Sequence, residues 1–378
     1  MFSQVLADAT LTKPLKKMHA YSIAVVKVDM DSRMELVMSQ PTEEIITEER
    51  MRNLLETKQH PVHYIGLEIS GMPHIGHILV AGKKINDLDR AGIKTQVWLA
   101  DWHTMANNKL GGDWDRIIKA AGFYRELFNT VCPNTKVMLG SELYSNNDDY
   151  WKLVMQMARR TTIARATRTL IIMGRNEKDT LHVSQYIYPI MQAADIEFLG
   201  ADIPHAGMDQ RKVHMLALEL FKEMKMREIV PLHHHLLPSL SEPPKISGGA
   251  EKEEIVAAMK MSKSKPGSSI PILADHKEIS SIIGTAWCPQ GVTEGNPVLQ
   301  LCKYVVFPNS GRLVVERDAK YGGDVIFQSY GELEAAFASS KLHPTDLKNS
   351  TANALNSIME PIHKKFGHRK AEIAGLFA

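Results

Sequence analysis

The sequence predicts an α/β fold, a parallel sheet flanked by helices, followed by an α-helical region. Three observations carry this. Strand-like apolar runs alternate with helix-length segments between about residues 62 and 173, the pattern of βαβ units. The first of these strands runs into a Ser-Gly turn and then a helix start. After Pro271 helical spacing takes over and strand signals become few.

The elements follow in order. Residues 1–41 carry no clear long period and form an N-terminal extension of unknown role. A helix signal begins at Thr42-Glu43-Glu44, with Ile45, Ile46, Met51, Leu54 and Leu55 at helical spacing. Residues 62–70 read as a strand, and Ile78, Leu79, Ile85 and Leu88 mark the apolar side of the next helix. Residues 96–100 read as a buried strand, 113–129 as a helix, 136–140 as a strand and 150–173 as one further helix. The Pro-, Ser- and Gly-rich stretch 231–249 reads as a boundary or mobile loop. These readings divide the chain at 1–41, 42–245, 246–274 and 275–378.

With 378 residues, 44% of them hydrophobic, the chain has ample material for a core, so disorder is excluded as a description of the whole. The 45 basic against 43 acidic residues argue against a general polyanion binder but leave room for local basic faces. Cys132, Cys288 and Cys302 form no C-x-x-C pair, so neither a disulfide framework nor a zinc knuckle is expected. A reducing, cytoplasmic compartment follows. No apolar run approaches a membrane span. The start of the chain is too interrupted for a signal peptide, and Asp8 weakens an organellar presequence reading.

Two segments point to phosphate chemistry. His74-Ile75-Gly76-His77 sits after a strand and turn, where a helix N-terminus presents free N–H groups. Gly76 has no side chain, which lets an adenine or ribose approach the backbone. Lys260-Met261-Ser262-Lys263-Ser264 offers movable cations and hydroxyl donors on a loop able to close over a polyphosphate. Each alone has a bland alternative, surface histidines in one case and a solvated basic linker in the other.

Together, in this order and at this spacing, the two segments resemble the HIGH and KMSKS signatures of class I aminoacyl-tRNA synthetases. The resemblance implies a Rossmann catalytic domain (42–245), a KMSKS loop and linker (246–274) and amino-acid adenylate chemistry with ATP and Mg²⁺. It implies no resident protein-bound metal. Lys263 is a departure from the KMSSS version that many enzymes of this class carry, where Ser stands there.

Residues 186–195 suggest the amino acid. Tyr188, Gln192 and Asp195 share one helical face, so phenol, carboxamide and carboxylate line one wall. Pro189 fits the first turn of that helix. The stretch is similar to the tyrosine-binding helix of tyrosyl-tRNA synthetases of the archaeal–eukaryotic type. Tyr64-Ile65-Gly66-Leu67-Glu68 and the run from Ala206 to Lys212 extend the likeness. By that likeness Tyr64 and Asp195 contact the substrate phenol, while Tyr188, Gln192 and Gln210 hold the amino-acid end. Glu68 lines the site and Asp209 contacts the ribose. Gly76, Met261, Ser262 and Ser264 belong to the ATP site. His74, His77, Lys260 and Lys263 are the expected catalytic set, the histidines on nucleotide phosphates and the lysines on the pyrophosphate side. A phenol needs one acceptor and one donor, which Asp195 and Tyr64 supply. Tryptophanyl-tRNA synthetases are the near rival, because an aspartate also accepts an indole N–H.

On the RNA side, Arg159, Arg160, Arg165, Arg168 and Arg175 form an acid-poor stretch, read equally as phosphate-facing or as a solvated or dimer-facing surface. Resemblance assigns Arg211 and Lys212 to the acceptor stem and Tyr321, His343 and Asp346 to the anticodon, within an α-helical anticodon-binding domain (275–378). The expected partners are tRNA(Tyr) and L-tyrosine, with a homodimer and no membrane. A non-catalytic RNA-binding scaffold and a small-molecule nucleotidyltransferase are the competing classes. Intact HIGH, KMSKS and the Tyr188 helix argue against both. The consecutive His233-His234-His235 reads as a loop, since neighbouring residues do not all converge on one ion.

Overall fold

The computed structural model describes residues 29–174, 180–243, 260–261 and 267–378. One sheet holds six strands: β1 (Thr42–Ile45), β2 (Val62–Leu67), β3 (Lys94–Leu99), β4 (Lys136–Leu139), β5 (Ile203–Gly207) and β6 (Leu232–His234). Their order is β1-β6-β5-β2-β3-β4. All neighbours run parallel except β1, which closes the edge antiparallel to β6. Around the sheet lie α1 (Met30–Met38), α2 (Glu48–Thr57), α3 (Ala81–Arg90), α4 (Asp101–Ala106), α5 (Trp114–Val131), α6 (Gly140–Tyr144), α7 (Asp148–Ala158), α8 (Ile163–Thr167), α9 (Val183–Phe198) and α10 (Arg211–Glu223).

The chain builds outward from β2 through β3 to β4, then returns to the other side of β2 with β5 and β6. Strand order thus reverses between β2 and β5. Such a reversal opens a crevice at the C-terminal strand ends, because the two connections leave in opposite directions. Ile65, Val97 and Leu99 on the strands pack against Ile78, Ile85, Leu127 and Phe128 on the helices. That cluster continues without a break into the C-terminal region, reaching Ile279, Leu355 and Phe366. Phe123 of α5 meets Phe366 edge-on, with ring centroids 5.5 Å apart.

Several sequence readings change. No helix begins at Thr42: that segment is the edge strand β1, and α2 starts after Thr47, whose hydroxyl accepts from Arg50 N. Met51 and Leu55 do face the core as the spacing required. The single helix expected over 150–173 is three pieces, α7, α8 and a 3-10 turn at Leu170–Met173. Thr162 causes the break, because its side chain accepts from Arg165 N and starts a new helix. Within the extension, α1 packs on α2 and α3. The buried Lys84 ammonium ties α1 down by donating to the carbonyls of Leu36 and Ser39.

The expected loop at 231–249 contains a buried strand, β6. His233 bonds His214 and Glu44, His234 bonds His205, and His235 bonds Gln300 and stacks on Tyr304. Each imidazole therefore has a local partner, which lets three histidines lie in or beside a strand. Among the described residues, no group of three or more His, Cys, Asp or Glu side chains is arranged to hold a metal ion. Pro189 lies in the interior of α9 rather than in its first turn, because the helix begins at the His182 cap. The C-terminal region is mainly helical, with helix Pro344–Phe366 packed along helix His276–Thr285. It also carries a small hairpin, Leu313–Val315 against Val325–Phe327. No described helix is long and apolar enough to cross a membrane.

Candidate active site

A cleft of about 520 Å³ opens at the strand-order reversal. Its floor comes from the end of β2, with Tyr64 and Glu68, and from the end of β5, with Asp209 and Gln210. One wall is α9, which presents Tyr188, Gln192 and Asp195. His74, Gly76 and His77 also line the cleft, as do Lys260 and Met261. The tertiary fold thus brings together the expected amino-acid set and those members of the expected phosphate set that are described. Ser262, Lys263, Ser264 and Arg175 lie outside the described residues.

The histidine pair opens the helix leading into α3. The His74 and His77 rings lie 3.9 Å apart, and Gly76 N donates to His74 Nδ1 at 3.1 Å. A Cβ on Gly76 would fall 2.9 Å from His74 Cε1, so the space beside this glycine is already filled by the His74 ring. That local reason for glycine differs from the one read off the sequence, close approach of a nucleotide. The backbone of His74 bridges that of Pro271, and Ile75 N donates to Ile270 O at 3.1 Å. The exit of the lysine segment is therefore fastened to the histidine segment.

Lys260 donates to Asp209 Oδ2 at 2.6 Å, and the Asp209 charge raises its pKa. Met261 is buried, and its N–H donates to Leu237 O. Glu68 accepts from Asn107 Nδ2 at 2.7 Å, and Gln210 donates to Ile172 O at 2.8 Å.

At the closed end, Asp195 is 1% exposed. Burial pushes its carboxyl up to about 7, against the pull of hydrogen bonds from Tyr150 and Tyr144. Burial and the Asp195 charge together push the Tyr64 phenol well above its ordinary range. His103, also on the cleft, is driven down to about 4 by burial and meets the Tyr188 ring edge-on at 4.5 Å. His103, Trp98, Tyr144 and Tyr150 were missed in the sequence. His103 follows β3 at the sheet's C-terminal edge, a placement that offers a general signal. Tyr144 and Tyr150 sit 51 and 45 residues from their partner Asp195, and no motif flags them.

The residues expected on the RNA side are placed as follows. Arg211 holds Glu44 through two contacts of 3.0 and 2.9 Å, and Lys212 follows it on α10. His343 caps helix Pro344–Phe366 by accepting from Thr345 N, and Asp346 sits in that helix's first turn. Tyr321 ends a 3-10 turn. Arg211, Lys212, His343 and Asp346 do not line the cleft. In the arginine stretch, Arg160 pairs with Glu223 and Arg165 with Glu219. Acids distant in sequence thus partly neutralise it.

A parallel sheet whose strand order reverses beside a polar cleft is the layout of nucleotide-binding doubly wound α/β enzymes. Residues 56–360 match the family model described as tRNA synthetases class I (W and Y), and the chain belongs to that family. A tyrosine–tRNA ligase of Pyrococcus furiosus is 42% identical over 359 residues, covering 90% of this chain and 96% of the relative. A tyrosyl-tRNA synthetase from Pyrococcus horikoshii, solved in complex with L-tyrosine, superimposes with a TM-score of 0.85 at 40% identity. That match covers 92% of this chain and 99% of the other. A tyrosyl-tRNA synthetase of Archaeoglobus fulgidus, also with L-tyrosine, gives 0.79 at 39% identity, covering 89% and 99%.

Proposed function

We propose that the protein is a tyrosine–tRNA ligase. It activates tyrosine with ATP to tyrosyl-adenylate and pyrophosphate, then transfers tyrosine to the 3′ end of tRNA(Tyr). The observation that supports this reading is that the buried Asp195 and Tyr64 both line the cleft, with the Asp195 charge acting on the Tyr64 phenol, a pairing suited to a substrate phenol. Phenylalanine there would offer neither group a hydrogen-bond partner in exchange for the water it displaces, which is costly.

The tyrosine carboxylate attacks the α-phosphorus in line, and pyrophosphate leaves with the bonding pair. The terminal ribose hydroxyl of the tRNA then attacks the carbonyl of the anhydride, and AMP leaves. No protein nucleophile is needed, so catalysis rests on positioning and charge stabilisation. His74 and His77 face the nucleotide phosphates, with Gly76, Met261, Ser262 and Ser264 around the ATP. Lys260 and Lys263 serve the pyrophosphate side. Asp209 takes the ribose and Glu68 lines the site. Tyr188, Gln192 and Gln210 hold the amino and carboxylate ends. Mg²⁺ enters with the ATP phosphates.

Arg211 and Lys212 guide the acceptor stem, and Tyr321, His343 and Asp346 meet the anticodon. The working units are 42–245 for catalysis, 246–274 for the lysine loop and 275–378 for the anticodon. The protein acts as a homodimer in the cytoplasm.

ATP–pyrophosphate exchange tests the reading. Exchange supported by tyrosine, followed by charging of tRNA(Tyr), is the expected result. Exchange supported by tryptophan but not tyrosine would overturn it.

A further inference from the structure

The hydrogen bonds around Asp195 are asymmetric. Oδ1 accepts from Tyr150 at 2.9 Å and from Tyr144 at 2.9 Å. Oδ2 shares the Tyr144 proton, at 3.0 Å, and the Trp98 indole adds a weaker pull on the same carboxyl. The Tyr144 proton is split between both oxygens, so Oδ1 carries one donor more than Oδ2, and Oδ2 keeps more of its acceptor capacity. Oδ2 also lies 3.7 Å from His103 Nε2. His103 and Asp195 both line the cleft, whereas Tyr144 and Tyr150 do not. The two phenols reach the carboxylate from behind, from α6 and α7, and both are fully buried.

We propose that Tyr144 and Tyr150 are positioning residues for substrate selection: they anchor Oδ1 of Asp195 and leave Oδ2, beside His103, to accept the substrate's phenol hydroxyl. This rests on the tyrosine-ligase reading. A free carboxylate in a buried site would rotate, or take up a proton and become a donor. Either change would spoil an acceptor aimed at one hydroxyl. Two neutral donors oppose both, because their hydrogen bonds favour the ionised form, without adding a counter-charge, against the burial that raises the carboxyl. The groups facing Asp195 are Tyr64 from β2, Trp98 from β3, His103 from α4, Tyr144 and Tyr150, with the Asp101 charge opposing ionisation.

The test compares the wild type with Tyr144→Phe, Tyr150→Phe and the double variant in ATP–pyrophosphate exchange across pH. Each lost bond to a charged acceptor should raise the tyrosine KM about ten-fold, with ATP KM unchanged. The pH below which tyrosine KM climbs should move up by roughly one unit in the double variant. The preference for tyrosine over phenylalanine should fall about ten-fold. KM and this ratio do not depend on the folded fraction, so a simple loss of stability leaves them unmoved. If the double variant fails to fold, the single variants carry the same comparison. A wild type active with tyrosine, and variants with unchanged KM and pH midpoint, would overturn the proposal while the ligase reading stands. A wild type inactive with tyrosine would remove the ligase reading and the proposal together.

Discussion

The Lys260 ammonium lies 2.6 Å from Oδ2 of Asp209, which joins the lysine segment to the end of β5. The pair holds a cation at the cleft on a carboxylate that belongs to the same cleft. Incoming phosphates would compete with Asp209 for that cation. Lys260→Met should therefore slow adenylate formation by roughly 10²-fold while tyrosine KM changes about two-fold. Single-turnover exchange and tyrosine titration measure both. Equal losses in the two would remove Lys260 from the phosphate side.

The His74 ring fills the space in front of Gly76. In Gly76→Ala the new methyl would press on Cε1 of that ring, 2.9 Å away. A displaced imidazole should lower kcat by about 10²-fold, the scale of a misplaced catalytic group. Thermal stability should change little, since alanine suits a helix better than glycine. Exchange kinetics beside a melting curve separate the effects, and full activity in the variant would exclude a tight role for the His74 ring.

Glu44 sits between His233 and Arg211, and the His233 hydrogen bond leads in holding its carboxyl down at about 2. The folded-state value lies below the ordinary 4.5, so this contribution is full above about pH 4.5. It is lost as pH falls from there toward about 2. Glu44→Gln should lower Tm at neutral pH, and its deficit against the wild type should shrink through that acid window. A deficit independent of pH would mean the ion pairs are not its source.

Phe366 packs on Phe123 inside the core shared by the sheet and the C-terminal helices. Phe366→Ala should cost roughly 3–5 kcal/mol. Because the core is continuous, that cost should appear as a downward shift of one cooperative calorimetric transition. Two transitions, with only one shifted, would show that residues 275–378 unfold independently.

Much of this was legible in the chain. The alternation of apolar runs and helices places β2, β3, β4, α3 and α5 close to where they fall. The spacing of Tyr188, Gln192 and Asp195 puts all three on the cleft. Local rules failed where a partner far along the chain decides. Thr42–Ile45 carries helix-like letters but pairs with Leu232–His234, and that pairing is worth more than a weak local preference. The three histidines look like loop residues because their partners, His214, His205 and Gln300, are distant in sequence.

By itself the sequence determined the class of fold, the two segments expected to face phosphate and the polar stripe of α9. Periodicity and short-range spacing encode these, and both are local. Only the tertiary structure decided that strand order reverses between β2 and β5, which creates the cleft. It also decided that Lys260 rests on Asp209, and that Tyr144 and Tyr150 stand behind Asp195. Those contacts join residues roughly fifty positions apart, and a hydrogen bond at that separation depends on packing that no local pattern records.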